Sequence, residues 1–579
     1  MLKRLFKSVR EYKTASLLTL VFMVGEVIIE TAIPYITASM VNHIKGGVEI
    51  KNLLSLGGLL AIMAILSLCC GGAASFTASK AASGFAKNLR HDIFNKIQKF
   101  SFENIDKFST ASLVTRMTTD ITNVQMSYMM IIRTAVRSPL MLLFSIIVAF
   151  KMGGMLACSF VIAVPILAFG LGYVAKHAMP AFRRVFKKYD RLNESVEEDV
   201  RGIRVIKGFA REEHEKEKFF NASRDICQDF TKAERMVALN MPLMQLCMNI
   251  NSIFILFIGA KMAISHTGNI DVGQISAMLT YGVQILMSLM MLSMIYVMIT
   301  MSIESGKRIC EVLSEESTIV SPENAVTTVK DGSIDFDNVS FKYSKKAKKN
   351  ALSNINLHIK SGMTVGIIGT TGSSKSSLVQ LIPRLYDVTE GSVSVGGVDV
   401  RLYDTEVLRK SVAVVLQKNV LFAGTIKDNL RWGNENATDE EMISACKMAC
   451  ADEFISTFPD GYDTWIEQGG ANVSGGQKQR LCIARALLRK PKVLILDDST
   501  SAVDMRTDAQ IRKSFAEYIP ETTKIIIAQR IASVCDSDLI IVMNNGEIAD
   551  MGTHDELMQS SEIYQEVYRQ QTNGGEDNA

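Results

Sequence analysis

Six separate apolar runs, at residues 15–41, 53–78, 129–150, 155–174, 239–264 and 275–303, dominate the first half of the chain. About 20 consecutive apolar residues suffice to cross a bilayer as a helix, so each run is a candidate span. A cleaved signal peptide is the rival reading of the first. Such a segment has an apolar region of roughly 7 to 15 residues and a small-residue cleavage site, and residues 15–41 are longer and show no such site. The chain of 579 residues is 48% hydrophobic and yet 21% charged, so apolar and charged residues must be segregated into different parts. A net charge of +3 is too small for this length to indicate a nucleic-acid-binding surface.

Lys and Arg set the expected orientation, because basic loops stay on the cytoplasmic side. The N-terminus carries Lys3, Arg4, Lys7, Arg10 and Lys13, and loops 80–123 and 176–235 are rich in both residues. The opposite connections, 151–154 and 266–272, are short and nearly uncharged. The N-terminus and both long loops are therefore expected in the cytoplasm. Polar and apolar residues alternate at helical spacing over 182–220, which predicts that the spans extend well beyond the membrane.

Two features inside the spans leave two readings each. Glu26 and Glu30 lie one helical turn apart in the first span, close to Pro34. They line a substrate path or sit solvated near an interface, since charge at membrane depth is costly without water or a partner. In the sixth span Met287, Met290 or Met291, Met294, Met298 and Met301 recur every three to four residues. That face is either a soft pocket for varied cargo or an ordinary packing or lipid-facing surface. The ten cysteines contain no CxxC pair and read as reduced thiols.

Residues 1–313 thus form a membrane domain, 314–332 a polar linker containing Pro322, 333–569 a second domain and 570–579 a polar tail. In the second domain, β-rich runs at 365–368, 412–415, 493–496, 524–527 and 539–542 alternate with helical patterns. This predicts an α/β domain with buried parallel strands and a ligand beyond the strand ends. The first run leads into Gly369, Thr370, Thr371, Gly372, Ser373, Ser374, Lys375 and Ser376, then an apolar helix from Ser377. This reads as a phosphate-binding loop, with a polar turn before a helix as the bland alternative. Backbone amides would surround the phosphates, Lys375 would reach the β and γ groups, and Ser376 would ligate Mg2+. Ser374 stands where that pattern has its second glycine, a position whose backbone glycine adopts freely. The run 493–496 ends in Asp497 and Asp498, placing one acid to hold magnesium and one to orient attacking water.

Asn472, Val473, Ser474, Gly475, Gly476 and Gln477 precede a basic helix, and this segment resembles the signature motif of ATP-binding cassette (ABC) proteins. The resemblance covers essentially the whole chain. It implies Tyr343 as the adenine-stacking aromatic, Gln417 as the Q-loop glutamine that also serves Mg2+, and Ser501 to Asp504 as the D-loop. The six spans ahead of the cassette resemble the exporter branch. In that family two cassettes meet head to tail, so each ATP lies between one phosphate loop and the other chain's signature. The family also implies short coupling helices, expected near 101–112 and 208–213 with Phe209 as a contact. Two positions depart from the family pattern: Asp498 replaces its catalytic glutamate and Gln529 its switch histidine. A carboxylate one methylene short is misplaced by about 1 Å, enough to cost on the order of 100-fold in rate. The resemblance therefore implies a heterodimer whose partner half-transporter does most of the hydrolysis, exporting an amphipathic small molecule through a lipid membrane without nucleic acid. An ATP-sensing regulatory subunit and an importer of the same architecture are the alternatives.

Overall fold

The computed structural model describes residues 2–45, 50–265, 270–344, 347–499 and 503–573. The chain divides into two compact units, Met1–Gln98 with Ser109–Glu315, and Lys99–Phe108 with Glu316–Ala579. The short segment Lys99–Phe108, flanked on both sides by the first unit, thus belongs to the second.

The first unit is helical. Among the described residues, five helical runs are long and apolar enough to cross a membrane. The longest, Thr110–Phe182, is parted at the turn Gly154–Ala157, where Gly154 has φ +50°, and its halves Ile121–Gly153 and Cys158–Arg201 each carry one apolar run. All six expected runs therefore lie on helices, the others being Lys13–Lys45, Ile50–Gln98, Asn240–Ile264 and Val272–Ser314. The 49 residues of Ile50–Gln98 rise about 74 Å at 1.5 Å each, more than twice a hydrocarbon core of about 30 Å. Much of that helix extends past the lipid, as the periodicity of the loops predicts.

Small residues let these helices approach. Ala74, Ala78, Ala81, Ala82 and Gly84 are buried on Ile50–Gln98, and a Cβ on Gly84 would fall 2.3 Å from the Tyr12 ring. Without a hydrophobic drive between helices in lipid, close packing and polar contacts hold such bundles. Thr19 donates to Thr77 at 2.9 Å and Tyr281 to the Thr31 carbonyl at 2.7 Å. Farther along, Arg308 grips the fully buried Asp120, with Nε donating to Oδ2 at 2.7 Å.

Among its described residues the second unit has two main sheets and a small antiparallel pair, Gly424–Thr425 with Trp465–Ile466. A six-stranded sheet runs in the order Glu547–Gly552, Leu539–Asn544, Thr364–Gly369, Thr523–Ile527, Val493–Asp497, Val412–Val415. All its pairings are parallel except that of the edge strand Glu547–Gly552. Val493–Asp497 and Thr523–Ile527 are buried at every position, which explains the apolar runs 493–496 and 525–527 within them. A four-stranded antiparallel sheet, Leu352–Ile359, Ile334–Phe341, Glu390–Val395 and Val398–Asp399, packs its apolar face into the same core. Linker residues pair with this unit, since Val326 N donates to the Leu402 carbonyl at 2.9 Å.

Candidate functional site

Four neighbouring parallel strands end on one edge of the six-stranded sheet, and each delivers a candidate group there. Thr364–Gly369 leads into the phosphate loop, Thr523–Ile527 toward Gln529, Val493–Asp497 to the paired acids, and Val412–Val415 toward Gln417. Ligands of open α/β sheets bind beyond the carboxyl ends of strands, and this is such an edge.

The loop from Gly369 to Ser374 ends at the helix Lys375–Leu381. Gly369 passes so close to the neighbouring strand that a Cβ would sit 2.2 Å from the Met543 carbonyl oxygen. Ser374 adopts φ +70°, ψ +25°, the left-handed conformation that favours glycine. A side chain there costs about 1 kcal/mol. Lys375 Nζ donates to the carbonyls of Gly369 and Thr370 at 2.8 and 3.0 Å. Burial pushes its pKa down, against the pull of Asp498 and Asp497. Ser376 Oγ donates to Asp497 Oδ1 at 3.0 Å, pairing two hard oxygen donors of the kind magnesium takes. Burial raises the Asp497 carboxyl above the usual range, and neighbouring Asp498 adds to the shift. These residues fit a magnesium-bound phosphate: a cation, backbone amides at a helix start and an oxygen pair that gains from a metal's charge.

Asp498 is buried and has φ +48°. Its Oδ2 accepts from Gln529 Nε2 at 2.7 Å and from Gln417 Nε2 at 3.2 Å. Two neutral carboxamides therefore close on the carboxylate expected to orient water. Gln529 is in turn tethered, because its carbonyl accepts from Gln571 Nε2 at 2.7 Å on the helix Glu562–Asn573. Tyr343 lies 44% exposed with its hydroxyl 2.7 Å from Ser377 Oγ, so the aromatic and the phosphate-loop helix are joined.

The signature residues form a different group. Ser474 caps the helix Gly475–Leu487 in a reciprocal box, its N–H donating to Gln477 Oε1 at 2.9 Å and its Oγ accepting from Gln477 N at 3.3 Å. Ser474 and Gly475 are exposed at that helix start and Gly476 is partly exposed, a place suited to an anion. Asp504 caps Met505–Tyr518 and accepts from Thr507 N at 2.9 Å. Ser501 lies outside the described residues.

In the membrane unit the acids find a partner that hydropathy alone conceals. Arg137, on Ile121–Gly153, sits 2.6 Å from Glu30 Oε2 and 3.4 Å from Glu26 Oε1. Neither sequence reading included this ion pair. The signal was present as a charge within an apolar run, a residue that needs a partner at that depth. Along the last helix Met287, Met291 and Met294 are exposed, whereas Met290 packs with Leu167 and Leu171. The side chain of Met301 lies outside the described residues. A cavity of about 630 Å³ opens on another face of that helix, lined by Leu171, Met179, Leu289 and Tyr296 with Lys176 as its charge. Of the expected coupling segments, one is the helix Phe102–Phe108 in the second unit. The other, 208–213, falls on the turn between the helices Ile203–Gly208 and Glu212–Ala238 instead of on a helix of its own, with Phe209 at 77% exposure.

Comparison with known proteins identifies the family. The model of the ABC transporter transmembrane region matches residues 16–290, and that of the ABC transporter matches 352–501. The chain is similar to YfiB of Bacillus subtilis, an uncharacterized ABC transporter ATP-binding protein, at 34% identity over 97% of each. A second uncharacterized ABC transporter ATP-binding protein, from Mycobacterium tuberculosis, is 33% identical over 99% of this chain and 98% of its own. Among solved structures, a bacterial Atm1-family ABC exporter with ATP bound shares the fold, with TM-score 0.83 and 23% identity over 97% of this chain and 98% of that one. The chain therefore belongs to the ABC transporter family, with a multi-pass membrane region and an ATP-binding domain fused in one polypeptide of exporter fold.

Proposed function

We propose that this chain is one subunit of an ATP-driven exporter of amphipathic or hydrophobic compounds, paired with a second half-transporter in a heterodimer. Its own ATP site binds MgATP and hydrolyses it weakly. The observation that carries this reading is the closure of Gln417 and Gln529 on Asp498, where a longer carboxylate and an imidazole would otherwise handle the attacking water. Neutral amides hydrogen-bond but cannot accept and return a proton at neutral pH.

Tyr343 stacks the adenine. The backbone from Gly369 through Thr370, Thr371, Gly372, Ser373 and Ser374 surrounds the phosphates, and Lys375 exchanges its two loop carbonyls for phosphate oxygens. Ser376, Asp497 and Gln417 hold the magnesium. Bound MgATP supplies the γ-phosphoryl group, and its metal neutralises charge on the phosphates. Ser474, Gly475, Gly476 and Gln477, with Ser501 and Asp504 of the D-loop, serve the nucleotide on the partner's phosphate loop. The distribution of Lys and Arg supports a cytoplasmic N-terminus and ATP-binding domain, and the exposed methionines favour a pliable, apolar cargo.

The test is flux in sealed inside-out vesicles containing both chains, with a fluorescent amphipathic dye as probe. ATP-dependent uptake into the vesicles supports export. Release indicates import, and ATP binding without flux leaves a sensing subunit, the reading that the amide-capped Asp498 would then favour. Photolabelling with an azido-ATP should mark this chain and lose most of its signal in Lys375→Ala.

A further inference from the structure

Tyr386 belongs to the loop after the phosphate-loop helix and takes no part in the site described above. Its backbone is pinned, because Arg384 donates to both oxygens of Asp387 at 2.8 and 3.2 Å across it. Its ring stands perpendicular to that of Tyr343, with centroids 5.2 Å apart at 88°, and buried Phe341 backs it at 5.6 Å. Toward the helix Phe102–Phe108, its ring lies 6.0 Å from that of Phe102, and its hydroxyl donates to Asp106 Oδ2 at 2.7 Å. Burial, reinforced by Asp106, raises the pKa of the Tyr386 hydroxyl, which keeps it a donor at neutral pH. A chain of contacts thus runs from Ser377 through Tyr343 and Tyr386 to Asp106.

The helix at the end of that chain is short and well seated. Ser101 Oγ lies 2.8 Å from Thr318 Oγ1, and Asn104 Nδ2 donates to the Glu316 carbonyl at 3.1 Å. By covalent connection it lies between the long helix Ile50–Gln98 and the turn at Ser109, where φ is +54°.

We infer that Tyr386 is a positioning residue that reports occupancy of the base site on Tyr343 to the helix Phe102–Phe108 through its hydrogen bond to Asp106. The inference rests on the proposed role of Tyr343 in stacking adenine. A base against the half-exposed Tyr343 fixes the ring on which Tyr386 leans, and so fixes the donor to Asp106. This path responds to the base. A path through Gln417 and the γ-phosphate responds to any triphosphate.

The experiment is hydrogen–deuterium exchange of peptides covering 99–109 in the full-length chain in lipid nanodiscs, at matched occupancy of ATP or of magnesium tripolyphosphate. ATP should slow exchange by about ten-fold, the worth of one hydrogen bond, and tripolyphosphate by less than about two-fold. Tyr386→Phe keeps the ring and removes the donor, so ATP protection should fall to the tripolyphosphate level. Asp106→Asn, whose carboxamide oxygen still accepts, should retain it. A purely structural role for Tyr386 would instead raise exchange equally with and without ATP. Equal protection by both ligands, or full ATP protection in Tyr386→Phe, overturns the inference. Should Tyr386→Phe fail to fold, Asp106→Ala must show the same loss of protection, and full protection there overturns it as well. Absence of azido-ATP labelling overturns the ATP-site reading instead, whereas a labelled chain without helix protection overturns this one alone.

Discussion

Ser374 and Asp498 both carry side chains in left-handed backbone, at φ +70° and +48°, on either side of the candidate phosphate site. Such conformations cost about 1–3 kcal/mol and persist where the surroundings fix them. Ser374→Gly should release part of that strain, raising the melting temperature of the ATP-binding domain by an amount equivalent to up to about 1 kcal/mol. Calorimetry of the purified chain with and without ATP measures it, and an unchanged or lower melting temperature counts against the strain. Asp498→Glu combined with Gln529→His should raise single-chain ATP turnover, because it restores reach and a titratable group where two amides now converge. The phosphate loop and the paired acids were readable in the sequence because each is a contiguous run tied to one strand. The convergence on Asp498 was not, since Gln417 lies 81 residues and Gln529 31 residues away, and only the order of the strands brings them together.

The apolar helices and buried parallel strands were legible for the same reason: a long run without charge has few places to go. The antiparallel sheet escaped notice. Ile334–Phe341 shifts register twice against Leu352–Ile359, which breaks the alternation by which a half-buried strand is recognised. The contact between Lys13–Lys45 and Ile121–Gly153 at Arg137 was also hidden, because helix pairing is not written in either run alone. Removing one partner of a poorly solvated pair costs more than the pair contributes. Arg137→Ala should therefore destabilise the membrane unit by about 3 kcal/mol, leaving two carboxylates facing each other, whereas Glu30→Gln should cost under about 1 kcal/mol. Thermal unfolding in detergent ranks the two variants, and equal losses would show that Arg137 contributes no more than either acid. Asp120 offers a parallel case. Asp120→Ala should lower the unfolding temperature more than Asp120→Asn, which keeps a hydrogen bond to Arg308.

Fusing a membrane unit to an ATP-binding unit makes one chain half of a machine when, as proposed, its signature faces another chain's nucleotide. On the proposed reading Asp498 and Gln529 weaken the site on this chain's phosphate loop, while the capped, exposed Ser474 serves the opposite one. Damage should follow that geometry. Gly475→Glu, placed where the partner's γ-phosphate is proposed to sit, should nearly abolish hydrolysis by the assembled pair, since the transition state there needs donors and tight packing. Asp498→Asn should lower the same rate only modestly. The steady-state ATPase rate of the purified chain by itself, set beside the rate of the chain co-purified with its partner half-transporter, separates the possibilities most directly. Little hydrolysis alone and robust hydrolysis together is the expected result. A homodimer of this chain that hydrolyses ATP and moves an amphipathic dye as fast as the mixed assembly would contradict it.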